Sequence, residues 1–158
     1  MVTIDITIKK NDVYDEVGRI SAYLGQRKSG ADASAYERVG VTDSDGALLD
    51  SYWSMAKSAL VEQLEQYVDD KTDDKADDTW TLSLVARGRY NTEMTPYLQA
   101  DAMRFMANYM MSLWCGVCSD GAADYYLKMS GTLLQDMKNK LCSFTKPKKK
   151  SITSKNKE

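Results

Sequence analysis

Val2, Ile4, Ile6 and Ile8 alternate with Thr3, Asp5 and Thr7 at the start of the chain. A period of two in β-branched residues predicts a half-buried strand over Met1–Lys9. From Asn11 or Asp12, either of which can cap a helix, the period lengthens. Val13, Val17, Ile20 and Leu24 then share one face, widened by Tyr14 and Tyr23, and predict a helix to about Lys28. Ser29 to Gly46 follows as a long polar connection, of a kind uncommon in a compact domain unless it has a task. Tyr36 and Val39 are its candidate anchor points, against the chain itself or a neighbour.

Beyond a cap at Ser44 or Asp45, Leu49, Tyr52, Trp53, Ala56, Leu60, Leu64 and Tyr67 recur at helical spacing. They predict a second helix over about Ala47–Val68. The run Asp69–Asp78 is too charged to bury and reads as an exposed loop. Trp80, Leu82 and Leu84 alternate again, predicting a second strand over Trp80–Val85, with a turn over Ala86–Glu93. Pro96 suits the first turn of a third helix, which runs to about Val117. Its residues Leu98, Ala102, Phe105, Met106, Tyr109, Met110, Leu113 and Trp114 leave almost no polar face, so it belongs at the centre of a core or between subunits. A fourth helix, about Ala122–Cys142, carries Tyr126, Met129, Leu133, Met137 and Leu141 on one stripe. The fold class expected is mainly α: about four helices and two short strands in the order strand-helix-helix-strand-helix-helix. Leu60, Leu64, Phe105, Tyr109, Trp114, Tyr126, Leu133 and Leu141 are its core candidates.

Charge divides the chain. The net charge is −2 over 158 residues, but the segment after Thr145 holds six lysines and one glutamate, a net +5. Residues 1–145 hold 15 basic and 22 acidic residues, a net −7. We therefore expect one helical domain over residues 1–145 and a lysine-rich tail over residues 146–158. Such a basic arm on an acidic body suits contact with a polyanion or an acidic neighbour. Lys146, Lys148, Lys149 and Lys150 would meet phosphates without reading sequence, since no aromatic residue is interleaved for stacking.

Histidine is absent. That removes Ser-His-Asp and Cys-His nucleophile systems and the commonest zinc ligand. Cys115 and Cys118 have the spacing of a redox pair, but they fall at the end of an apolar helix, where the dipole opposes thiolate formation. Reduced, mostly buried thiols are the better reading of all three cysteines. Asp43-Ser-Asp45-Gly46 has the look of a calcium loop, yet Val41 and Tyr52 would occupy its first and last ligand positions, so a helix cap accounts for it better. The acidic run offers at most loose cation binding. No catalytic, cofactor-binding or metal-binding residue is assigned, and a non-enzymatic protein is expected. The most apolar segment, Ala102–Cys118, is interrupted by Arg104, Asn108 and Ser112 and is shorter than the roughly 20 residues of a membrane span. No membrane association is expected, and synthesis in a cytoplasm is.

The second half carries a resemblance. The alternating Trp80–Val85, a helix ending Y-M-M-S-L-W over Tyr109–Trp114, the opening Ala122-Ala123-Asp124-Tyr125-Tyr126 and a last helix ending at Leu133–Leu141 are similar to head–tail connector (adaptor) proteins of tailed bacteriophages, of the type found in phages and prophages of gut Bacteroidetes. The resemblance covers about half the chain and rests on core residues. It implies a virion protein made in the bacterial host cytoplasm and sited in the phage neck, where about twelve copies form a ring under the portal. Such a ring extends the DNA channel, touches channel DNA without sequence preference and docks the next neck or tail component. Its subunit or partner contacts would include Val2, Ile4, Ile6 and Ile8, Trp80, Leu82 and Leu84, with strands pairing between subunits. Tyr36, Val39 and the tail lysines complete that set. Two other readings stay open: an intracellular helical binding or regulatory module whose basic tail contacts nucleic acid, and a small enzyme using carboxylates of the acidic loop.

Overall fold

The structure, a computed structural model, describes residues 1–29, 34, 37, 39–69, 78–118 and 121–145, with backbone alone at 28 and 29. Tyr36, most of the acidic run and the lysine tail, Lys146, Lys148, Lys149 and Lys150 included, lie outside the described residues. Four helices and a two-stranded antiparallel sheet make up the described fold, which is mainly α as the patterns predict. The elements are β1 (Val2–Lys9), α1 (Lys10–Ser29), α2 (Gly46–Gln63), β2 (Thr79–Ala86), α3 (Thr95–Val117) and α4 (Ala123–Leu141).

β1 and β2 pair with each other over their full length, from Val2 opposite Ala86 to Lys9 opposite Thr79. The alternation works as the sequence suggests: Ile4, Ile6 and Ile8 are buried, and Thr3, Asp5, Thr7 and Lys9 are exposed. Where the sequence reading has the strands pairing between subunits, β1 and β2 pair with each other within the chain. Ile4, Ile6, Ile8, Trp80, Leu82 and Leu84 are buried in the chain's own core, and Val2 is half-buried. Each fully buried isoleucine or leucine contributes about 1.5–3 kcal/mol, far more than a lone exposed strand gains by waiting for a neighbour. Removing the first nine residues would therefore test folding, not assembly.

α3 is the hub. It packs against α4 along its length and also against α1, α2 and β1, which is why so few of its positions stay polar. Phe105, Met106, Met110, Met111 and Trp114 are buried, whereas Tyr109 is half-buried, its ring stacked on Phe105 at 5.8 Å. α4 buries Leu133, Met137 and Leu141, with Ser130 in place of the expected Met129. Met129 lies one step off that stripe and is exposed, and Tyr126 is half-buried. The Ser130 hydroxyl donates to the Leu127 carbonyl at 2.7 Å, so a small polar residue sits at the packed face with its polarity satisfied within the helix.

The connection between α1 and α2 is fastened to the chain's own core. The buried indole N–H of Trp114 donates to the Val39 carbonyl at 2.7 Å, and the Ser21 hydroxyl accepts the Val41 N–H at 3.1 Å. Val39 is buried within the chain. The Asp45 carboxylate then accepts from both the N–H and the hydroxyl of Thr42 at 2.8 Å, closing a short 3₁₀ turn that leads into α2. That turn explains the Asp43–Gly46 motif as a cap.

An aromatic ladder ties three elements together. Trp53 meets Tyr14 and Trp80 edge-on, each at 6.4 Å, and lysines lie over the two ends, Lys10 above Tyr14 and Lys57 above Trp80. Tyr14 also donates to Asp50 at 2.5 Å, and Lys10 bridges the same carboxylate at 2.7 Å. Lys10 foremost, then Tyr14, holds the Asp50 carboxyl below its usual range. Burial, then the Asp50 hydrogen bond and charge, pushes the Tyr14 phenol well above its ordinary value. The Asp50 contribution is thus present above about pH 4 and lost as pH falls further. The Tyr14 contribution is complete below about pH 10 and lost as pH rises, because the unfolded phenol ionises first. Tyr52 and Tyr67 are raised as well. Stability followed from pH 9 to 11 should fall less steeply, by about one proton's worth of slope, in Tyr14→Phe. An unchanged slope would count against this linkage.

Candidate functional site

A cleft of about 570 Å³ lies at the Val2 end of the sheet. Three chain segments converge to build it. After α2 the helix does not continue to Val68 as its apolar spacing predicts. A 3₁₀ turn over Glu65–Tyr67 intervenes, and Val68 adopts an extended conformation. Val68 then bridges to Leu84, and the Asp69 N–H donates to the Ser83 carbonyl at 2.9 Å. The far edge of β2 drew the chain out of the helix, because its backbone groups needed partners.

The second segment is the turn after β2. Tyr90, buried and unmarked by any periodicity, bridges to Phe144. The third is the chain beyond α4: Asn91 N–H donates to the Ser143 carbonyl at 3.0 Å, and Thr145 N–H to the Arg89 carbonyl at 3.1 Å. These backbone bonds hold the walls in place. Val85, Ala86 and Leu141 line the cleft with Val68, Met1 and Phe144, and its polar lining includes Gln66, Tyr67, Asp69, Arg87 and Cys142.

Tyr67 and Cys142 face each other across it, hydroxyl oxygen to sulfur 3.4 Å. The hydrogen bond to Cys142, with burial behind it, pushes the Tyr67 phenol upward; the Arg87 guanidinium opposes this. A phenol, a thiol, a guanidinium and the Asp69 carboxylate thus line one recess. They suit an apolar or aromatic group that carries an anionic or hydrogen-bonding end. No imidazole stands by to activate the thiol.

Cys142 departs from the expectation of buried thiols, being exposed; Cys115 is buried and Cys118 half-buried, and none forms a disulfide. Among the described residues no cluster of three or more carboxylates and thiols is placed to hold a metal, and no helix is long and apolar enough to cross a membrane. A shallower hollow of about 370 Å³ lies along α2 between Met55, Glu62 and Tyr109.

Among the described residues, none of those named from sequence as partner contacts lines the cleft. Its lining was missed because each member sits at an element end, where periodicity stops. Odd composition at those ends (Arg87 beside Gly88, Phe144 beyond the last helix) was the one available signal. Compared with protein-family models, curated proteins and solved structures, the chain finds no significant match.

Proposed function

We propose that the chain is a structural, non-catalytic protein of a tailed phage: a head–tail connector subunit that forms a ring of about twelve copies under the portal. In that role it extends the DNA channel and docks the next neck or tail component. The observation that carries the reading is the cleft, a backbone-braced recess lined by Val68, Val85, Ala86, Leu141 and Phe144, with Arg87 and Asp69 among its polar residues. It fits the insertion of a neighbouring protein's side chain better than it fits chemistry on a small molecule. Charge adds support: an acidic body with a lysine-rich terminus suits a subunit placed beside both proteins and DNA.

Quantitative mass spectrometry of gradient-purified particles from the source organism tests this directly. The expected result is the chain present at about the portal's copy number. Its absence from particles would remove the connector reading. The intracellular alternative would then be tested by salt-sensitive DNA binding that is lost on truncation after Thr145.

A further inference from the structure

Among the described residues one edge of β1 has no strand beside it, and the hydrogen-bond phase shows which residues face it. The Lys10 N–H donates to the Asp78 carbonyl at 2.9 Å, one step beyond the Lys9–Thr79 pair. Hydrogen-bonded positions alternate along an antiparallel ladder, so Ile8, Ile6, Ile4 and Val2 turn their backbone groups toward β2. Thr7, Asp5 and Thr3 turn theirs away. An independent bond agrees: Ser83, opposite Asp5, turns its carbonyl away from β1 and accepts the Asp69 N–H. The matching groups of Thr3, Asp5 and Thr7 meet no backbone partner among the described residues, and their side chains are exposed.

Unpaired strand edges are templates for another extended backbone. Head-to-tail growth of the sheet would need the far edge of β2 on the next copy, and Val68 and Asp69 already occupy that edge at Leu84 and Ser83. Among the described residues nothing occupies the outward edge of β1 in this way. Opposed residues must point to the same face, so outward positions meet outward positions. A pair centred on Asp5 would set two carboxylates against each other, which is unfavourable. Centring on Thr7 sets Asp5 of each copy against Lys9 of the other, and Ile6 against Ile8 on the core-facing side.

We propose that two copies of this chain pair edge to edge through antiparallel β1 strands, about a two-fold axis at Thr7. The contact goes beyond the ring reading, since a two-fold pair is closed and cannot propagate head to tail. Its few residues make it weak, with a dissociation constant on the order of 10–100 µM.

Sedimentation of the full chain across that concentration range tests it. The wild type should pass from monomer to dimer. Thr7→Pro deletes an outward N–H and spares every bond to β2, so it should fold normally and dimerise about ten-fold more weakly. Lys9→Asp and Asp5→Lys should each weaken the dimer, and the double exchange should restore it; this series decides the matter if the proline variant does not fold. A wild type that stays monomeric to about 1 mM, assembles directly into larger rings, or dimerises regardless of these substitutions would overturn the proposal.

Discussion

Trp114→Ala should destabilise the fold by about 3–5 kcal/mol, the largest loss expected from any single truncation of α3. Two separate costs combine. The ring is buried among residues of a hub helix with few other positions that could relax into the space. Its N–H also satisfies the Val39 carbonyl, which would be left buried and unpaired, at about 1–3 kcal/mol. Trp114→Phe separates the two, keeping most of the apolar volume and losing the bond. Urea denaturation reads both variants. The alanine variant should lose most of its midpoint and the phenylalanine variant a smaller part. A midpoint unchanged in either would show that Val39 is not fastened in this way.

Lys140→Met should cost about 2–4 kcal/mol, and for an electrostatic reason. Asp101 is buried on α3, and Lys140 on α4 reaches across to its carboxylate. Taking away the lysine leaves a carboxylate with little access to water. The reverse truncation is milder, because the Lys140 side chain keeps about a quarter of its surface exposed and can turn its ammonium to solvent. Asp101→Asn should therefore cost roughly half as much. The double variant Asp101→Leu/Lys140→Met should recover most of the loss, since a well-packed apolar pair replaces a desolvated ionic one. A double-mutant cycle by urea unfolding checks the ordering; equal costs for the two single variants would mean that both groups reach water equally.

Both residues show where periodicity stops being informative. Asp101 falls among Leu98, Ala102 and Phe105, where a carboxylate looks like an exposed interruption of an apolar helix. Its burial depends on a cation 39 residues away. Val39 sits in a polar connection and looks like a stray hydrophobe. Its anchoring depends on an indole 75 residues away. Met129 has the right spacing for the α4 stripe, yet Ser130 takes the buried place, on a face that the α3–α4 contact selects. The cleft is the extreme case. Its lining comes from four separate stretches of chain, so nothing local marks Tyr67, Arg87 or Cys142 as neighbours.

The sequence by itself determined the kinds of element and the faces they bury: the two-residue period of β1 and β2, the helical period of α1 and α2, and the apolar girth that places α3 at the centre. These follow from side-chain direction, which the backbone sets locally. Only the tertiary structure decided that β1 pairs with β2 within the chain. It also decided that Val68 and Asp69 leave α2 to meet Leu84 and Ser83 on one sheet edge, and that the opposite edge meets no backbone partner among the described residues. Pairing depends on which backbone donors and acceptors are left without partners once the helices have packed. That is a property of the assembled chain, and no stretch of sequence carries it alone.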